Sequence, residues 1–227
     1  MSELTLLESV ELIPVIELTP GTFSTRERSS PAGSGREMPD EWNRYWLDSL
    51  ADSGIVGLTP LWPWAWLVPA RQLTDAVVLN RIMSTLVREW GGPDVFSDPD
   101  SKPVLDGGLA LCSNGEVLAA PTCCSDLGNV SEWRDAAANR QPDWKLVWIG
   151  HPWLSIRFDA GRLVLSEPHE SDAPTARWTV RPEELVRAVN AAEAELEAFA
   201  RRLRTVLGDM GVADAGLAAR KLAGLAR

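Results

Sequence analysis

Cysteine is scarce: the chain has three, Cys112, Cys123 and Cys124, and the last two are adjacent. An odd count without a spacing pattern argues against a disulfide framework and predicts a reduced, cytoplasmic protein. Long apolar runs are also missing. No stretch approaches the ~18 apolar residues that a spanning helix needs, so no membrane is expected. The opening Met1-Ser2-Glu3-Leu4 lacks the basic and apolar regions of a secretory signal. Histidine occurs twice, as His151 and His169. Phosphate cradles are absent, because neither Gly91-Gly92 nor Gly107-Gly108 has the spacing of a GxxxxGK[ST] or GxGxxG loop.

Positive charge is in the minority. The chain holds 22 basic and 32 acidic side chains, for a net charge of −10. Residues 201–227 carry six basic and two acidic residues, which leaves −14 on residues 1–200. A body that acidic repels nucleic-acid phosphates and anionic lipid headgroups, and it steers basic partners inward. The bland alternative is that the charge only keeps the protein soluble. Aromatic use is skewed as well, with 11 Trp against four Phe and one Tyr. Indoles need a partner for the ring N–H, so they favour cores with a wet edge, and interfaces.

The pattern predicts a single α+β domain over residues 1–227. Residues 9–18 (SVELIPVIEL) read as a strand, with Pro14 placing it at a sheet edge. Residues 19–37 are rich in Ser, Gly, Pro and Arg and read as a mobile loop. Pro39 opens a helix to about 52, with Trp42, Trp46 and Leu50 spaced four apart. Across 60–69, an extended backbone would put Trp62, Trp64 and Trp66 on one face. A second helix runs from an N-cap at Thr74 to Trp90.

From residue 107 the pattern turns to strands. The pair Asn114-Gly115 between GLALCS and EVLAAP is a hairpin signal. Ser131 is the expected cap of a short helix, followed by strands at WKLVWIG, LSIRFD, RLVLSEP and ARWTV. The expectation is one antiparallel-rich, curved sheet over 107–181 with helices on one face. The closing helix, 182–207, carries Leu185, Val189, Ala192, Leu196, Phe199, Leu203 and Val206 in alternating steps of four and three. That seam fits packing against the chain's own sheet, with homodimerisation through 182–207 as the alternative. Residues 208–227 form a basic tail with a short helix.

Chemistry-bearing residues are few. Cys112, Cys123, Cys124 and His151 could compose a zinc set, against the reading of the cysteines as small buried hydrophobes. Cys124 with His151 and Asp126 could compose a thiol nucleophile, with Trp62, Trp64 and Trp66 as a pocket wall, although no family signature surrounds the cysteine. The preferred expectation is no catalytic residue, no metal and no cofactor. Asp126, Glu132 and Asp135 around the short helix, and Glu167, Glu170 and Asp172 after the last hairpin strand, are the candidate partner-binding acids. Trp133 is the candidate anchor, against a core role for the same ring.

Residues 105–200 resemble the SUKH superfamily. The features are Ile149-Gly150 at a strand end, the strand SIRFD ending in Asp159, the turn glycine Gly161, and RLVLSEPHE running into His169-Glu170. The resemblance implies an α+β fold without catalytic residues. It also implies a bacterial immunity protein that binds and neutralises a toxin, many such toxins being nucleases. A nuclease is basic because it binds nucleic acid, so an acidic binder is its physical complement.

Overall fold

The computed structural model describes residues 4–98 and 100–226. The chain opens with strands β1 (Thr5–Leu7) and β2 (Glu11–Glu17), then helices α1 (Pro20–Phe23) and α2 (Pro39–Asp52). Strand β3 (Leu67–Pro69) and helix α3 (Ala76–Glu89) follow. The hairpin strands are β4 (Gly107–Ser113) and β5 (Glu116–Ala119), and α4 (Val130–Ala138) comes next. Strands β6 (Lys145–Val147), β7 (Leu154–Asp159), β8 (Arg162–Ser166) and β9 (Ala176–Val180) lead to α5 (Pro182–Asp209) and α6 (Ala215–Leu222). The fold is α+β, with antiparallel-rich sheets and a long helix α5.

Two compact units divide the chain, each discontinuous in sequence. Among the described residues, one comprises 4–15 and 106–197; the other comprises 16–98, 100–105 and 198–226. Two sheets form rather than the single sheet expected over 107–181. The five-stranded sheet has the order β1-β9-β8-β7-β6 and lies in the first unit. Its β6–β9 ladder is antiparallel, and β1 pairs with β9 in parallel, Leu6 opposite Thr179. The hairpin strands β4 and β5 belong instead to the order β3-β2-β4-β5. They turn at Asn114 and Gly115, both at positive φ, as a tight two-residue hairpin requires.

Pro14 was expected on an edge, yet β2 is an interior strand of its sheet. The neighbour β3 spans three residues against seven in β2, so one side of β2 is flanked over only part of its length. The β1 strand is too short and too mixed in pattern to be read from sequence.

In the second unit, α2 begins at Pro39, as its fixed φ favours at N1. Trp46 is fully buried and donates its Nε1–H to Leu18 O at 2.7 Å. Asp52 at the helix end has a side chain only 2% exposed. Its carboxylate accepts from Arg28 Nε and Nη2 at 3.0 and 2.7 Å, which anchors residue 28 of the 19–37 segment. The 60–69 segment is not extended throughout: Trp64 and Trp66 take positive φ, which breaks the alternation that would align three indoles. Trp66 instead tilts against Trp42 at 5.9 Å. Helix α3 is capped by Asp75, one residue beyond the expected Thr74, through bonds from Val77 and Val78 N–H.

The seam of α5 is buried within the chain itself at all seven positions, from Leu185 to Val206. In the first unit an ion pair from Arg134 of α4 to Glu193 holds α5 at its solvent side.

Candidate functional site

The site grows from the connections of the first unit. In an antiparallel ladder, the segment joining β6 to β7 and the one joining β8 to β9 emerge at the same end of the sheet. These segments carry Trp148, His151 and Trp153, and His169. Trp153 and His169 exchange backbone hydrogen bonds, N–H to O, at 3.1 and 2.9 Å. The loop after β5 joins them, because Thr122 N–H donates to Ile149 O at 2.8 Å and Trp148 Nε1 donates to Cys124 O at 3.2 Å.

A row of rings results. Trp148 and Trp153 lie nearly parallel, 6.1 Å between centroids at 20°. His151 sets its edge against both, at 4.8 Å from Trp148 and 5.3 Å from Trp153. His169 continues the row at 5.9 Å from Trp153. Both indoles are half-buried and His151 is exposed. Gly150, at φ +101°, makes the close approach possible: a Cβ there would meet Cys123 O at 2.6 Å and Thr122 O at 2.7 Å.

His169 is held at both nitrogens. Nδ1 lies 2.8 Å from the Ser171 carbonyl, which can only accept, so Nδ1 carries a proton. Nε2 lies within hydrogen-bond distance of the Ser155 hydroxyl, 2.9 Å away. Ser155 N–H donates to Ser166 Oγ at 2.8 Å, where the β8–β9 register slips beside Ser166. Ser155 and Ser166 are buried, and the contacts to Ser155 and Ser171 fix the orientation of the His169 ring.

Acidic groups flank the row. At one end Asp106 and Asp126 form an isolated bridge two residues beyond Cys124. Burial, and then the Asp126 charge, push the Asp106 carboxyl above its ordinary value. Neither makes an ion pair among the described residues; Asp126 instead accepts from Gly128 N–H at 2.5 Å, capping the 3-10 turn before α4. The expected cap Ser131 lies inside α4 and donates to Gly128 O at 2.9 Å. At the other end Glu167, Glu170 and Asp172 are exposed and carry no ion pair among the described residues.

The remaining candidates separate. Asp135 is exposed and pairs with Lys145 at 3.2 Å, and Glu132 is half-buried in the first turn of α4. Trp133 is 0% exposed: the ring is a core residue of α4 and cannot anchor a partner, because the helix turns that face inward with Val130 and Ala137.

The cysteine chemistry drawn from sequence is not assembled. Cys112 is buried in β4, whereas Cys123 and Cys124 are exposed. No group of three or more His, Cys, Asp or Glu side chains among the described residues could hold a metal ion. Cys123 Sγ faces the His151 carbonyl at 4.0 Å. The Cys124 thiol is pushed up by the charge of Cys123, then by their hydrogen bond and by burial, which is opposite to the activation a nucleophile needs. Trp62, Trp64 and Trp66 belong to the other compact unit. No helix among the described residues is long and apolar enough to cross a membrane.

The row itself was missed in the sequence. Its signal was the density of rings in WIGHPW, followed by a second histidine after the next hairpin. No family model, curated protein or solved structure matches the chain.

Proposed function

We propose that this chain is a non-enzymatic, acidic binding protein of the immunity type, which captures and neutralises a basic protein such as a nuclease toxin domain in a reduced cytoplasm. The observation that carries the reading is the ring row with uncompensated carboxylates at both ends. Half-buried indoles supply apolar area at low entropic cost, and tryptophan is enriched among residues that dominate binding. Asp106 and Asp126 sit close together without a basic partner, so a lysine or arginine brought to them relieves a repulsion already present. The net charge of −10 extends the attraction beyond contact range. The SUKH resemblance of residues 105–200 supports the same reading.

The test is capture from a lysate of the source cell at low salt, elution by salt, and assay of the eluted protein for toxicity with and without this chain. The expected result is one basic, toxic protein that the wild type retains and neutralises and that a Glu167→Lys, Glu170→Lys, Asp172→Lys variant retains poorly. A retained protein that is not basic, or retention equal in wild type and variant, overturns the reading.

A further inference from the structure

Cys123 and Cys124 are both exposed, and they lie in the loop that carries the ring row. A charge on Cys123 disfavours a second charge on its neighbour Cys124. Consecutive Cα atoms across a trans peptide are about 3.8 Å apart. Disulfides usually span about 4.4–6.8 Å between Cα atoms, so a bond closed here is strained and readily reduced. The backbone around the pair is tied to the site, with Cys124 O accepting from Trp148 and Cys123 O packed on Gly150.

We propose that Cys123 and Cys124 form an oxidative modification site, a vicinal dithiol that a peroxide converts reversibly to an intramolecular disulfide. One thiolate attacks a peroxide oxygen, the O–O bond breaks, and a sulfenic acid and one water form after proton uptake. The second thiol attacks the sulfenic sulfur and the S–S bond forms. The departing hydroxide leaves as a second water with the thiol proton. Two thiols are oxidised and one hydrogen peroxide is reduced to two waters. A labile disulfide of this kind in a reducing compartment is a sensor rather than a staple. Its influence on partner capture rests on the proposed function; the modification itself does not.

The experiment treats the full chain with a small excess of hydrogen peroxide, then denatures it, titrates thiols and measures the intact mass. Three cysteines are present, so one titratable thiol should remain. The mass should fall by two hydrogens, the chain should run as a single copy on a non-reducing gel, and dithiothreitol should restore all thiols. Cys112→Ala should still give the closed species. Cys123→Ser and Cys124→Ser should each abolish it and leave a sulfenic acid that dimedone traps. Retention of every thiol, direct passage to sulfinic acid, or disulfides between chains overturns the proposal. Partner capture is not a readout, so failure of the binding reading leaves this result standing.

Discussion

Trp148 donates its indole N–H to the carbonyl oxygen of Cys124 at 3.2 Å, joining the end of β6 to the loop after β5. Trp148 also lies nearly parallel to Trp153, whose backbone exchanges two hydrogen bonds with His169. Three segments far apart in sequence, 122–126, 148–153 and 167–172, thereby form one surface. The Trp153–His169 exchange and the Thr122–Ile149 bond are made by main-chain atoms, so the Trp153 side chain can be altered without removing them.

Truncating Trp153 uses that separation. Trp153→Ala leaves the exchange with His169 intact, because main-chain atoms make it. Loss of a central interface indole costs at least about 2 kcal/mol of binding, roughly 30-fold in Kd. Calorimetric titration against the captured basic partner checks this, alongside a thermal melt to confirm folding. An unchanged Kd removes Trp153 from the interface.

Charge reversal acts on rate. Glu167, Glu170 and Asp172 are exposed and carry no ion pair among the described residues, so replacing them with lysine should change folding stability by only about 0.5 kcal/mol each or less. The association rate at low salt should fall by about tenfold or more, and the difference should shrink as rising ionic strength shortens the Debye length. Stopped-flow association at several salt concentrations measures both. Rates independent of salt and of the reversal contradict the electrostatic account.

Local rules carried much of the fold. Pro39 opens α2 where the pattern placed it, Asn114-Gly115 turns the hairpin, and β6 to β9 fall in the expected runs, because each depends on neighbours within a few residues. What depended on distant pairing was not legible. Nothing in Thr5–Leu7 announces a parallel partner at β9, and the hairpin strands do not state which sheet they join. The 62–66 segment shows a different limit, since two tryptophans at positive φ defy the steric preference that sequence patterns assume. At the site, the acids after β8 were legible as exposed turn residues. Trp133 was ambiguous between core and surface until the face of α4 was known, and the structure buries it.

Phe199 tests the helix seam. Its ring is fully buried and its neighbours on the seam, Leu196 and Leu203, are buried with it. Phe199→Ala should destabilise the chain by about 3–5 kcal/mol, the lost transfer energy plus the cavity left behind. Because this burial occurs within one chain, the loss should be the same at every protein concentration. A thermal midpoint that rises steeply with concentration would show that association through α5 supplies part of the stability.

Asp52 should set part of the acid sensitivity of the fold. Its hydrogen bond from Arg28 holds the carboxyl below the ordinary value against the opposing effect of burial, with Ser24 and Arg26 adding to the hold. A carboxyl lower in the folded than in the unfolded chain favours folding above the unfolded value, about 3.9, and loses that contribution as pH falls through the folded value. Asp52→Asn should therefore lower the thermal midpoint at neutral pH. The gap between wild type and variant should then narrow as pH drops below about 4. A gap that is constant across this range would show that the charge of Asp52 is not what Arg28 recognises.

The last prediction separates backbone strain from steric conflict at the site. Gly115 and Gly150 both hold positive φ, +79° and +101°, where a side chain is disfavoured. Around Gly115 nothing lies within 4 Å of an added Cβ, so Gly115→Ala should cost only the conformational penalty, about 1–2 kcal/mol. At Gly150 the same carbon meets two backbone oxygens, Cys123 O at 2.6 Å and Thr122 O at 2.7 Å, which cannot yield without opening the Thr122–Ile149 contact. Gly150→Ala should exceed the Gly115→Ala cost by at least about 1–3 kcal/mol, the overpacking range. It should also shift tryptophan emission to longer wavelength as Trp148 loses its bond to Cys124. Chemical denaturation of the two variants side by side, followed by fluorescence, measures both effects. Equal costs with unchanged emission would mean that the loop carrying Cys123 is free to move away, and that the ring row does not depend on its seat at Gly150.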